Sequence, residues 1–127
     1  HKNKLQAYGE YARKMAATIK LYRDLPKHVY MSCKETTVFD DNNFPHYGLM
    51  FHGKKLAPNV PGDFDIVATI RVFADPENEG ALIRKIQTVK DPNYGVLKDR
   101  SGALGPFIDP NFKTMFAAIR AKFPNLS

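Results

Sequence analysis

Leu5, Tyr8, Ala12, Met15, Ile19 and Tyr22 recur at alternating spacings of three and four, which places them on one stripe of a single helix. Lys4, Arg13, Lys14 and Lys20 fall away from that stripe. Gly9 weakens the helix by about 1 kcal/mol relative to Ala. Pro26 ends it, because the residue before a proline is biased to an extended form. Such a stripe suits a helix packed across a sheet, or a coiled-coil stalk. Ala12 at a seam position and the lack of complementary charges favour the packed helix.

Short strand patterns follow. Residues 28–33 alternate, with Val29, Met31 and Cys33 on one face and His28, Tyr30 and Ser32 on the other. Thr36–Phe39 is a second β-rich run, closed by the turn cluster Asp40-Asp41-Asn42-Asn43. Tyr47–Phe51 reads as a strand, and Pro58, Pro61 and Gly62 make 56–63 a loop. Residues 64–73 form the strongest strand pattern, with Phe64, Ile66, Ala68, Ile70 and Val72 on one face and Asp65, Val67, Thr69, Arg71 and Phe73 on the other. Asp75-Pro76 has the chemistry of a helix start, so the residues carrying Leu82, Ile83, Ile86 and Val89 are expected to be helical. Tyr94–Leu97 and Ala103–Ile108 flank Asp99-Arg100-Ser101-Gly102 as a hairpin. Asp109-Pro110 opens a last helix with Phe112, Met115, Phe116, Ile119 and Phe123 on its apolar side.

The expected fold is therefore α+β: a long N-terminal helix, a small antiparallel sheet of about four to six strands, and two further helices, one after the central strand and one C-terminal. With 127 residues, 43% hydrophobic and 25% charged, the chain reads as one domain over 1–127. No apolar run approaches the roughly 18 residues of a membrane span. Cys33 is the lone cysteine, which excludes an internal disulfide and a cysteine-based zinc site.

Charge is segregated. Residues 1–34 carry eight bases and two acids, 35–74 three bases and five acids, and 75–127 eight bases and six acids. The +6 excess thus belongs to the leading segment, which argues against a nucleic-acid face spread over the whole domain. The chain starts at His1 rather than Met, which suits a fragment or mature form of a longer precursor.

Candidate chemistry is sparse. His46 and His52 would share a strand face, with Asp40 or Asp41 within reach of a metal, although turn histidines explain the spacing as well and no metal is assigned. The same two histidines, with Lys54 and Arg71 holding phosphate, would form the acid–base set of a small metal-independent ribonuclease or RNA-binding domain. Cys33 and His28 fall on opposite strand faces, so Cys33 reads as a buried, inert thiol. Asp63 and Asp65 share a strand face but read as solvent-exposed. Ser101, Gly102 and Gly105 satisfy neither nucleotide-loop fingerprint. Arg71 beside Thr69, with hydroxyls from Tyr30 and Tyr47, would make a pocket for a small anion.

The arrangement of a long helix, small sheet and closing helix is similar to extracytoplasmic sensor domains and pilin-like subunits, a likeness of architecture alone. A start without Met, a basic leading helix with a heptad stripe and the lack of a catalytic set point to a non-enzymatic binding or assembly domain of an exported or membrane-anchored protein, periplasmic or extracytoplasmic, although the lone thiol fits the cytoplasm equally. Its partner would be a protein or a second copy meeting the N-terminal helix, with the membrane reached through a segment outside this chain. No cofactor is expected.

Overall fold

The computed structural model describes residues 2–51 and 56–125. They form two compact units: residues up to Phe64 together with Pro92–Gly95, and Asp65–Asp91 together with the residues from Val96 onward.

The first unit opens with helix α1, Lys2–Arg23. It stops three residues before Pro26, as the proline requires. Ile19 is buried against Leu56 and Val60, and Tyr11, Met15, Ala16, Leu49, Phe51 and Phe64 pack around them. Only the middle of the expected stripe, Ala12, Met15 and Ile19, is therefore covered, with Leu5, Tyr8 and Tyr22 exposed. Strands β1, Glu35–Phe39, and β2, Pro45–Leu49, pair antiparallel, with Thr37 opposite Tyr47 and Val38 opposite His46. The Asp40 carboxylate accepts the backbone N–H groups of Asn42 and Phe44 at 2.9 and 3.0 Å, which closes the turn. Asn43 takes positive φ there, a conformation asparagine tolerates. Residues 28–33, expected as a strand, have no regular secondary structure. A 3-10 turn, Val60–Asp63, begins with Pro61 in its first turn.

The second unit holds five short strands and one helix. Strand β3, Ile66–Val67, pairs antiparallel with β6, Lys98–Asp99. Strands β4, Thr69–Ala74, β5, Leu82–Gln87, and β7, Phe107–Ile108, form a three-stranded antiparallel sheet in that order. Helix α2 spans Phe112–Lys122.

The α+β class holds, with seven strands in three small sheets and two helices among the described residues. The helix expected after the central strand is instead β5. Asp75 does accept the Glu77 N–H at 2.9 Å, as a cap would, but it also takes the Asn78 side-chain amide. Gly80 then turns the chain at φ +81, and Asp75 N–H donates to Ala81 O at 2.9 Å, closing a hairpin. Leu82–Gln87 fits a strand because Ile83 and Ile86 are β-branched and the register with β4 is unbroken from Ala74↔Leu82 to Thr69↔Gln87. On β4 the covered face is the one with Thr69, Arg71 and Phe73, which are half-buried, whereas Ile70 and Val72 on the more apolar face are exposed. The expected 94–108 hairpin does not form, because β6 pairs with β3 and β7 with β5.

Helix α2 begins one turn element later than Asp109 implies. Asn111 is its N-cap, accepting from Lys113 N–H at 2.8 Å and Thr114 N–H at 3.3 Å. Asp109 instead pairs with Lys85. Replacement of the cap should therefore matter more than replacement of the expected one. Asn111→Ala is expected to lower stability by about 1 kcal/mol, and Asp109→Ala by less, since exposed ion pairs contribute about 0–1 kcal/mol. Urea unfolding of both variants checks the order.

Candidate functional site around Asp99

Leu97 and Thr88 are the most deeply buried side chains of the second unit, at 2% and 1% exposure. Together they floor an open groove of about 420 Å³, walled by Val89, with Lys90, Lys98 and Asp99 along it and Gly102 and Gly105 at its lip. That volume lies within the usual range of small-ligand sites.

The Asp99 carboxylate builds the lip. One oxygen accepts Ser101 N–H at 2.9 Å and Ser101 Oγ–H at 2.6 Å, and the other accepts Leu104 N–H at 3.0 Å. Gly102 follows at φ +64 and Gly105 at φ +68, where a side chain would be strained. Thr88 Oγ donates to Gly105 O at 2.7 Å, fixing the floor to the lip, and Lys122 Nζ donates to Gly102 O at 3.1 Å. Partial burial alone would raise the Asp99 pKa. The hydrogen bonds from Ser101 and from the Leu104 and Gly102 backbone outweigh it, so the carboxyl lies below its ordinary value.

Lys90 and Lys98 make no ion pair with a described residue, so their charge faces the groove unneutralised by a carboxylate salt bridge. Arg100, the next base along the turn, is held by Asp65 at 2.8 Å, with its backbone N–H donating to Asp65 O at 2.9 Å. An unpaired lysine pair over an apolar floor suits a ligand with an anionic end and a flat or apolar body.

The residues singled out by sequence lie elsewhere. Arg71 donates to Gln87 Oε1 at 2.9 Å, stands 3.7 Å from the Asp91 carboxylate, and lies over the Phe73 ring. Gln87, 3% exposed, also donates to Val89 O and Asp91, so Arg71 is knitted into the sheet, with Thr69 directly opposite Gln87. Tyr47 and Tyr30 belong to the other unit: Tyr47 stacks on Tyr94 at 4.8 Å, and Tyr30 is 66% exposed. His46 Nε2 lies 2.9 Å from Asp40, which draws the Asp40 pKa down, helped by the Phe44 and Asn42 backbone. His52 and Lys54 fall outside the described residues. Among the described residues no three His, Cys, Asp or Glu side chains gather at a metal-binding distance. Cys33 is exposed rather than buried, its sulfur 3.2 Å from Lys34 O and 3.4 Å from Met50 O. Asp63 pairs with Arg23 at 2.9 Å.

The groove is invisible to periodicity, since its parts come from a strand end, a turn and two isolated lysines. The sequence also holds Gly48, Gly53 and Lys54 as Gly-x4-Gly-Lys, the phosphate-loop interval, with Lys55 where that motif has Ser or Thr. Gly53, Lys54 and Lys55 lie outside the described residues, and no α-helix directly follows among the described ones. Gly48 lies inside β2 opposite Thr36, and the next described helical element is the 3-10 turn Val60–Asp63 rather than an α-helix.

The depressed Asp99 pKa carries a pH prediction. Its folded value lies below its unfolded one, so its contribution is present above the unfolded pKa and is lost as pH falls through the folded value. Stability should therefore drop below about pH 4. Asp99→Asn should unfold more easily at neutral pH and show a flatter acid limb in thermal melts across that range.

A family model described as an AAA domain matches residues 1–101, a span that includes Lys98, Asp99 and Arg100. No curated protein and no solved structure matches the chain. Among the described residues no helix is long and apolar enough to cross a membrane. The family match overturns the expectation of a non-enzymatic binding or assembly domain of an exported or membrane-anchored protein, and with it the ribonuclease alternative built on His46, His52, Lys54 and Arg71. It lends no support to an extracytoplasmic placement. The chain belongs to this AAA domain family.

Proposed function

We propose that this chain serves a nucleotide-binding AAA-type domain and that the Asp99 groove receives the phosphate end of the nucleotide. The family match carries the reading, because it covers Thr88, Val89, Lys90, Leu97, Lys98 and Asp99 of the groove and reaches Ser101 of the turn that shapes it. The groove supplies what the chemistry needs. Lys90 and Lys98 offer two ammonium groups to an anion, and Leu97 and Val89 offer apolar surface to the rest of the ligand. Asp99 stays ionised, its charge held by the hydrogen bonds from Ser101 and Leu104, and the two lysines outnumber it along the groove. Asp99 is assigned to shaping the lip through these hydrogen bonds, and the reading is one of binding.

A glycine-rich loop opening an α-helix does not occur among the described residues. The turn's cations are therefore assigned a contact to phosphate, not the enclosing cradle of backbone N–H groups. Arg100 is a second cation of the same turn, reached by a phosphate only after it leaves Asp65.

Titration calorimetry with ATP, ADP and tripolyphosphate tests this. The wild type should bind all three, and Lys98→Ala and Lys90→Ala should each weaken binding about tenfold, with a shallower salt dependence. Absence of binding, or unchanged binding in both variants, overturns the reading.

A further inference from the structure

Helix α1 is only half covered. Tyr11, Met15, Ala16 and Ile19 join the first unit's core, yet Leu5 and Tyr8, earlier on the same stripe, are 74% and 52% exposed. Lys4 stands next to them and makes no ion pair with a described residue.

The β1–β2 hairpin has the opposite character. Val38, Phe39 and Phe44 at its end are 61%, 59% and 39% exposed. Residues 35–51 contain the acids Glu35, Asp40 and Asp41 and no Lys or Arg. Asp40 is occupied by its own turn and by His46, whereas Asp41 makes no ion pair with a described residue. The hairpin's base is anchored, because Leu49 and Phe51 pack against the core that holds α1. Its tip is thus a fixed apolar and acidic knob, and the start of α1 an apolar and basic surface.

Charge decides how two copies would meet. Helix against helix brings Lys4, Arg13 and Lys14 toward like charges, and hairpin against hairpin brings acids together. Hairpin against helix pairs opposite charges and covers apolar side chains on both sides. We infer that the tip of the β1–β2 hairpin of one copy docks on the exposed first turns of α1 of a second copy, with Asp41 facing Lys4 and Phe39 covering Leu5 and Tyr8. The contact joins two different surfaces, so each copy offers one of each. This interaction goes beyond the nucleotide reading and does not depend on it.

Sedimentation velocity over a concentration series at low salt tests the contact with wild type, Lys4→Glu and Asp41→Lys. All three should share one circular dichroism spectrum, since both positions are exposed. The wild type should self-associate, and each reversal should move the midpoint about tenfold or more to higher concentration. An equimolar mixture of the two variants should return to the wild-type midpoint, because the reversed charges then face each other. A wild type that stays monomeric, variants that associate like the wild type, or a mixture no tighter than either variant alone overturns the inference.

Discussion

Three of the chain's reversals are wound around an aspartate side chain. Asp40 closes the turn between β1 and β2 through the N–H groups of Asn42 and Phe44. Asp75 closes the loop between β4 and β5 through Glu77 N–H and the Asn78 amide. Asp99 gathers Ser101 and Leu104 after β6. Each carboxylate is held below its ordinary pKa, with the Asn78 amide first among the causes at Asp75 and His46 at Asp40. The common cause is local: a short acceptor two residues before a donor satisfies backbone N–H groups that a turn leaves without ladder partners. Remove that acceptor and the strands on either side lose the geometry that sets their register.

Asp99 differs from the other two in what depends on it. Asp40 and Asp75 each close one hairpin, whereas the Asp99 turn joins strands that pair with different neighbours: β6 with β3, and β7 with β5. Gly102 and Gly105 at positive φ, the Thr88 hydroxyl on Gly105 O and the Lys122 ammonium on Gly102 O all hold the same few residues. That concentration of fixed polar geometry over a buried Leu97–Thr88 floor makes a loop rigid enough to orient the lysines beside it. The ligand chemistry proposed for the groove follows from this rigidity as much as from the charge of Lys90 and Lys98.

Legibility in the sequence tracked how local each signal was. Helix α1 and its end before Pro26 rest on spacing and a breaker residue and were legible, as were the existence of helix α2, though it starts at Phe112, and of strand β2, though it spans Pro45–Leu49 rather than Tyr47–Phe51. Helix versus strand at 82–87 was not, because Asp75-Pro76 caps a helix and initiates an Asx turn with the same atoms; the β-branched Ile83 and Ile86 and the glycine at position 80 were the opposing signal. The covered face of β4 was not legible, since alternation marks two faces without saying which one meets the core, and here Phe73 is covered while Ile70 and Val72 are exposed. The Asp99-Arg100-Ser101-Gly102 turn was legible as a turn. Its partners were not, as strand pairing to β3 is long-range information.

The exposed apolar faces and the small cores have one physical origin. Among the described residues Ile19, Leu56 and Val60 are the buried hydrophobics of the first unit, and Val67, Leu97, Leu104 and Met115 those of the second. Three and four buried side chains are few for units of this size. Meanwhile Leu5 and Tyr8 on α1, Val38 and Phe39 on β1, and Ile70, Val72 and Leu82 on the β4–β5 sheet remain more than half exposed. Scattered exposed hydrophobics need no explanation, but these lie in rows on regular elements, where the backbone aligns them for burial. On α1 and the hairpin, opposite charge accompanies the apolar rows, so that surface has a matched counterpart in a second copy. On the β4–β5 sheet the row carries Arg84 and no such counterpart, so burial there would be driven by apolar area alone and would confer little choice of partner.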